Sequence, residues 1–337
     1  MTIQGDLDLQ RLQAYAPELF PGELSAELIA GGRSNLTYVV HTGAGRLVVR
    51  RPPLGHVLAT AHDMAREHRV ITALAPTAIP VPATHLLCED TAVIGAPFYV
   101  MEHVDGVPYR EAAQLAELGS ERTAAVVHRL VDTLAYLHDV DVEAVGLTDF
   151  GRPDGYLERQ VRRWGRQLDT SRSREVPGID ELRADLAQDV PDSGPAAIVH
   201  GDYRLDNVLV ADDRIAAVLD WEMATVGDPL SDLALLVVYS SPALARHAAG
   251  VVSSAPLADG FPMVDDLVSR YVSRREADVA RLDWYVAMAY FKLAVVLEGI
   301  HFRYTQGMTV GAGFDRIGAL VAPLVAAGRS SLAQEGS

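Results

Sequence analysis

The sequence predicts an α+β chain, β-rich over 1–104 and mainly helical over 105–337. Three observations carry this. Short apolar stretches, broken by Gly and Pro and alternating with period two, crowd into the first hundred residues. Beyond residue 105 the apolar spacing changes to that of helices, as over 121–138. Late in the chain, two apolar runs deliver a dense set of polar residues, at 198–210 and at 216–222.

Composition narrows the function. At 337 residues the chain has room for one large domain or two lobes, and 49% apolar residues supply a sizeable core. A formal charge of −16 argues against a nucleic-acid partner, since phosphates attract basic surfaces. It fits a solvated acidic surface or a cationic substrate. Every basic residue of the Lys/Arg type is arginine except Lys292. Cys88 is the only cysteine, which excludes an intramolecular disulfide and a cysteine zinc site and marks it as a core thiol. Residues 1–12 do not read as a signal peptide, and the apolar stretches 233–238 and 286–296 are too short or too interrupted to span a bilayer. The expectation is a cytoplasmic protein with a small-molecule substrate, no membrane partner, and an oligomeric state that no pattern encodes.

Residues 7–17 form a short helix closed by Pro17. Strands follow at 24–29 and 37–41, joined by a Gly-rich turn that contains Gly31 and Gly32. Such a turn is either a plain hairpin or a loop whose N–H groups hold an anion. A third strand, 46–50, ends in Arg50 and Arg51, and alternation puts these two on opposite faces. The helix over 58–74 is stopped by Pro76 and carries Glu67 mid-way. Residues 85–88 and 98–101 form a hairpin, after which the chain exits through Glu102 and Val104.

Helices then dominate. Those predicted are 121–138, a basic helix 156–168 with Arg159, Arg162, Arg163 and Arg166, then 182–186, 229–239, 262–273, 282–304 and 314–327. Asp228 reads as the N-cap of the 229–239 helix with Pro229 in its first turn, and Asp232 is placed to bond the 200–207 stretch.

The 198–210 stretch reads His200-Gly201-Asp202-Tyr203-Arg204-Leu205-Asp206-Asn207 between apolar flanks. A second acid, Asp220, follows in Asp220-Trp221-Glu222. Asn207 falls five residues after Asp202, the spacing of the kinase loop H-R-D-x-x-x-x-N, and Asp220 takes the place of a second metal-binding acid. With Gly201 at the second position, and with Gly227-Asp228-Pro229 and Asp232 downstream, the chain resembles the aminoglycoside phosphotransferase and choline kinase-like family. Segments 32–38, 149–153 and 293–304 look like one branch of it, the kinase-like domains associated with acyl-CoA dehydrogenase families 10 and 11.

The resemblance implies a bilobal protein-kinase-like fold and an ATP-dependent transfer of phosphate to an alcohol group. It implies Asp202 as the group that orients the hydroxyl and takes its proton, with Arg204 stabilising the transferred phosphoryl. Asn207 and Asp220 become Mg²⁺ ligands. Gly32, Ser34 and Asn35 cover the phosphates, Arg50 fixes them with Glu67 as its partner, and Glu102 and Val104 lie where the interlobe backbone holds adenine. The family's usual strand residue is Lys; here Arg50 stands there, with Arg51 as a rival. His200 is expected to be a scaffold, and Glu222 either a metal ligand or a local cap. The acceptor stays open between a hydroxyacyl-CoA or hydroxy acid and an aminoglycoside, as does ATP against GTP. Loss of transfer, leaving a nucleotide-binding protein, is the remaining alternative.

Overall fold

The computed structural model describes residues 7–29, 35–54, 63–308 and 314–334. The chain divides into two compact units, 1–107 with 216–224, and 108–215 with 225–337. The segment 216–224, which carries Asp220, therefore packs with the N-terminal unit although it lies far along the chain.

The first unit begins with α1 (Leu9–Tyr15) and holds β1 (Ser25–Leu28), β2 (Leu36–Thr42), β3 (Gly45–Arg51), α2 (Met64–Leu74), β4 (Thr84–Cys88), α3 (Thr91–Ile94) and β5 (Phe98–Glu102). Its strands form one antiparallel sheet in the order β1-β2-β3-β5-β4. Leu12, Phe20, Tyr38, Val40, Val49, Phe98 and Val100 fill its core, and Cys88 is buried among them as an apolar residue. The expected hairpin of β4 and β5 forms, with the four-residue α3 inserted between them. Register sets Thr37 of β2 directly opposite Arg50 of β3. The expected helix over 58–74 is described from Met64, with Asp63 accepting the Arg66 N–H as its cap; 58–62 lie outside the described residues.

The second unit contains α4 (Ala112–Leu118), α5 (Ser120–His138), α6 (Tyr156–Ser171), α7 (Ile179–Gln188), β6 (Ala197–Val199) and β7 (Val208–Ala211). The chain then turns through Asp212 and Asp213, both with positive φ, into β8 (Arg214–Val218). Later elements of the unit are β9 (Thr225–Gly227), α8 (Leu230–Tyr239), α9 (Pro242–His247), α10 (Val264–Arg274), α11 (Leu282–Thr305) and α12 (Val321–Gln334). Strands β6 and β9 pair antiparallel. Helix α11 is 24 residues long and apolar enough by composition to cross a bilayer, but 67% of its apolar window is buried, packed by α6, α7, α8 and α12. Asp132 of α5 holds Arg270 and Arg274 of α10 at 2.6 and 2.9 Å.

Two expectations shift slightly. Helix α8 starts one residue late: Pro229 occupies the N-cap, and Asp228 caps from one position upstream by accepting the Leu230 N–H at 3.0 Å. The helix expected over 314–327 opens as a 3₁₀ segment, Phe314–Leu320, before α12.

Candidate active site

In the N-terminal unit the polar residues converge on Arg50. Its Nε lies 3.1 Å from Glu67, its Nη1 donates to Thr37 Oγ1 at 3.2 Å, and its Nη2 donates to Asp220 Oδ1 at 2.5 Å. Glu222 lies 3.8 Å from the same Nη2 and accepts from Asn35 Nδ2 at 3.0 Å. Glu67 is 1% exposed, and neighbouring Tyr99 helps to favour its charged form. Burial pushes the Glu67 carboxyl up, against the pull of the Arg50 guanidinium. For Arg50 itself, burial works against the charge, but Glu67, Asp220 and Glu222 outweigh it and raise its pKa. Between the two sequence rivals the geometry is clear. Arg51 points the other way, fully buried, donating to Tyr38 Oη at 3.0 Å and to the Pro52 carbonyl at 3.1 Å.

The segment that brings Asp220 here is anchored along its length. Val218 N–H donates to the Pro80 carbonyl at 2.8 Å, buried Trp221 donates from Nε1 to the Val218 carbonyl, and Arg66 of α2 holds the Ala224 carbonyl. Asp220 has φ +66° and ψ +57°, a left-handed conformation that Asp adopts more readily than most residues.

In the C-terminal unit the loop 200–207 presents Asp202. Its Oδ1 accepts from Tyr239 Oη at 3.1 Å, its Oδ2 accepts from Asn207 Nδ2 at 2.9 Å, and Arg204 Nε stands 3.4 Å away. Arg204 also pairs with Asp206 at 3.1 Å and lies over the Tyr239 ring. Burial, with the Asp202 charge beside it, raises the Tyr239 phenol pKa well above its ordinary value, so it stays a donor. Asp232 on α8 accepts the N–H groups of His200 at 2.6 Å and Gly201 at 2.8 Å, as the sequence suggested. Buried His200 accepts the Asp202 N–H at Nδ1, 3.2 Å, a scaffold contact. Gly201 needs its lack of Cβ, because φ is +85°. Behind Asp232, His138 of α5 bonds its Oδ2 and Tyr271 Oη, at 3.4 and 2.7 Å.

The other sequence-selected residues fall as follows. Gly32 and Ser34 lie outside the described residues. Glu102 ends β5, with its side chain and its N–H both bonded to Ala83. Val104 follows, half-buried, with backbone groups that make no bond among the described residues.

The family profile described as "Phosphotransferase enzyme family" (APH) matches residues 25–259. The chain belongs to that family. This phosphotransferase is 36% identical over 321 residues to acyl-CoA dehydrogenase family member 11 of Rattus norvegicus, covering 90% of the chain and 40% of the relative. Against acyl-CoA dehydrogenase family member 10 of Mus musculus the identity is 32% over 293 residues, 86% of the chain and 27% of the relative. The chain thus spans less than half the length of these curated relatives. Among solved structures, a Ralstonia eutropha protein provisionally called an aminoglycoside phosphotransferase superposes with a TM-score of 0.81 at 30% identity, covering 98% and 99% of the two chains. Aminoglycoside phosphotransferase APH(4)-Ia, in a ternary complex with ADP and hygromycin B, superposes at 0.63 with 16% identity over 95% and 98%. The fold of this phosphotransferase is therefore the protein-kinase-like one of these enzymes.

Among the described residues no group of three or more His, Cys, Asp and Glu could hold a metal. Mg²⁺ asks for less, commonly one or two side-chain oxygens plus substrate phosphates. In the C-terminal unit Asn207 spends its amide nitrogen on Asp202 and keeps its carbonyl oxygen, and in the N-terminal unit Asp220 gives only Oδ1 to Arg50, so each carries an oxygen of the kind Mg²⁺ takes.

Sequence reasoning missed Tyr239, which bonds Asp202, and the bond between Asn35 and Glu222. A half-buried Tyr ending the apolar helix α8 carries no local signal of its partner. Asn35 and Glu222 are 187 residues apart, and nothing in either neighbourhood names the other.

Proposed function

We propose that this phosphotransferase is a small-molecule kinase that moves the γ-phosphate of ATP to an acceptor hydroxyl, with Asp202 as the group that orients the hydroxyl and accepts its proton. The observation that carries this reading is the dressing of Asp202. Two donors, Tyr239 Oη and Asn207 Nδ2, and the Arg204 charge 3.4 Å away hold a half-buried carboxylate in one orientation. A carboxylate held in a fixed place is what a positioned hydroxyl needs, because phosphoryl transfer is mostly placement and charge stabilisation. Arg204, tethered by Asp206 and the Tyr239 ring, supplies positive charge for the transferred group. Asn207 and Asp220 are the residues that would hold Mg²⁺, and bound Mg²⁺ would neutralise charge on the phosphate oxygens. Arg50, fixed by Glu67, is the cation for the nucleotide phosphates, with Asn35 as a further contact; Gly32 and Ser34 remain the candidates the sequence names. Val104 offers backbone to the base, next to Glu102, whose own N–H is taken by the Ala83 carbonyl.

For the acceptor we favour a hydroxyacyl-CoA. The relatives that the chain matches over part of their length are named acyl-CoA dehydrogenase family members. On α6, Arg162, Arg163 and Arg166 are exposed, and none of them makes an ion pair with an acid among the described residues. That is unusual on a chain of charge −16 and suits a phosphate-bearing acceptor. Mass spectrometry of hydroxyacyl-CoAs, free hydroxy acids, aminoglycosides and choline incubated with Mg-ATP, with wild type and Asp202→Ala in parallel, tests both parts. A phosphorylated hydroxyacyl-CoA formed by wild type alone supports the reading. Phosphorylation of an aminoglycoside instead replaces the acceptor. ATP binding without any product leaves the nucleotide-binding alternative.

A further inference from the structure

Lys292 is the single lysine of the chain, and it sits half-buried on α11 at a small cavity also lined by Trp164, Leu235, Tyr285 and Met288. Its Nζ donates to the Gly201 carbonyl at 2.5 Å and lies 5.5 Å from the centre of the Trp164 ring. The N–H of the same glycine donates to Asp232 Oδ1. Gly201, in its left-handed conformation, is thus gripped at both ends, by a carboxylate at its N–H and an ammonium at its carbonyl. The next residue is Asp202. Lys292, Gly201, Trp164, Asp232, Tyr156 and Tyr285 share the lining of one small cavity of about 40 Å³ behind the loop.

We infer that Lys292 is a positioning residue for phosphoryl transfer: by holding the Gly201 carbonyl it fixes the peptide that aims the Asp202 carboxylate at the acceptor. This rests on the reading of Asp202 given above. An ammonium suits the task better than an arginine fork. It is a compact charge that can give one strong bond to one carbonyl, whereas guanidinium geometry matches carboxylates and phosphates. That explains a lysine here in a chain that otherwise uses arginine. The groups facing it are Asp202 on the loop, Asp232 on α8, Arg163 and Tyr156 on α6, and Tyr285 on α11 itself. Burial lowers the lysine pKa; Asp202 and Asp232 oppose this, and Arg163 adds to it. Deprotonation weakens the grip, so turnover acquires an alkaline limit set by Lys292.

Because the lysine is unique, protein grown with ¹³C-lysine gives one Cε resonance, and its titration reads this group alone. The expected result is a pKa below the ordinary lysine value that falls further in Asp202→Asn, where an attracting charge is gone. Turnover is followed as ADP formation with a hydroxyacyl-CoA as acceptor, or with water when none of the tested acceptors reacts. Lys292→Met should lower kcat by about 10²-fold, the scale of a misplaced catalytic group, with the KM for ATP within about twofold. Its alkaline limb should vanish. Lys292→Arg, which keeps a charged donor, should recover part of kcat and carry the limb to higher pH. A Cε titration at the ordinary value that ignores Asp202→Asn overturns the inference without any activity measurement. So does a Lys292→Met enzyme with normal kcat and an intact alkaline limb. Normal turnover in Asp202→Asn would instead remove the reading of Asp202, and the two failures are told apart.

Discussion

Arg50 donates to Asp220 at 2.5 Å while its Nε stands 3.1 Å from Glu67, so one guanidinium joins a strand, a helix and the 216–224 segment. A lysine cannot do this with one ammonium, since the planar fork spreads its donors over several acceptors. Arg50→Lys should therefore keep the charge yet weaken nucleotide binding by about tenfold, through a misaligned Asp220; each charge-assisted bond contributes about 1.5–3 kcal/mol. Calorimetric titration with Mg-ATP measures it. Unchanged affinity would mean that the fork is irrelevant to the nucleotide.

Removing the charge altogether is a stability experiment. Arg50→Met strands Glu67, which is 1% exposed, and breaking a buried pair from one side costs about 3–5 kcal/mol. Arg50→Met with Glu67→Gln should recover a good part of that loss. Urea denaturation of the two variants gives the comparison, and equal stabilities would show that Glu67 is held by other groups.

Asp202→Ala should reduce kcat by at least about 10²-fold, with ATP affinity nearly unchanged. Steady-state kinetics and nucleotide titration decide it, and near-normal turnover would displace Asp202 from the mechanism.

Tyr239→Phe deletes one of the bonds that orient Asp202 and leaves the ring under Arg204. A fall in kcat of about tenfold is expected, on the scale of one hydrogen bond to a charged group, without a matching change in the KM for ATP. A loss confined to KM would assign Tyr239 to binding.

The pH dependence of stability follows from His138. Burial keeps this ring neutral and lowers its pKa from the ordinary 6.5, against the opposing bond to Asp232. Below about pH 6.5 the unfolded chain protonates first and binds more protons, so stability is lost as pH falls from there to the lower folded value. The slope per histidine is at most about 1.4 kcal/mol per pH unit. His68 and His128 are shifted in the same direction by burial. His138→Gln should therefore make the decline between pH 7 and 5 shallower, not abolish it. Urea midpoints across that range test this, and an unaltered slope would clear His138.

The strands and helices were legible because their periods differ and because Gly and Pro mark their ends; β3 and α5 come out within a residue of expectation. The 200–207 loop was legible because charged residues held between apolar flanks are costly unless they do something. The helix partners were not. Tyr239 and Lys292 lie on helices whose pattern reports only which face is inward, and α8 and α11 are inward almost all round. Asp220 was singled out by spacing, but that its segment packs with the N-terminal unit depends on contacts such as Val218 to Pro80, which no local pattern carries.

That excursion of 216–224 bears on how such enzymes can be recombined. A chimera that exchanges only residues 1–107 between relatives would give Arg50 a foreign Asp220 and α2 a foreign Ala224 carbonyl to hold. The unit of inheritance for the Arg50–Glu67–Asp220 cluster is thus two discontinuous stretches of gene, and a graft that keeps these contacts has to carry both.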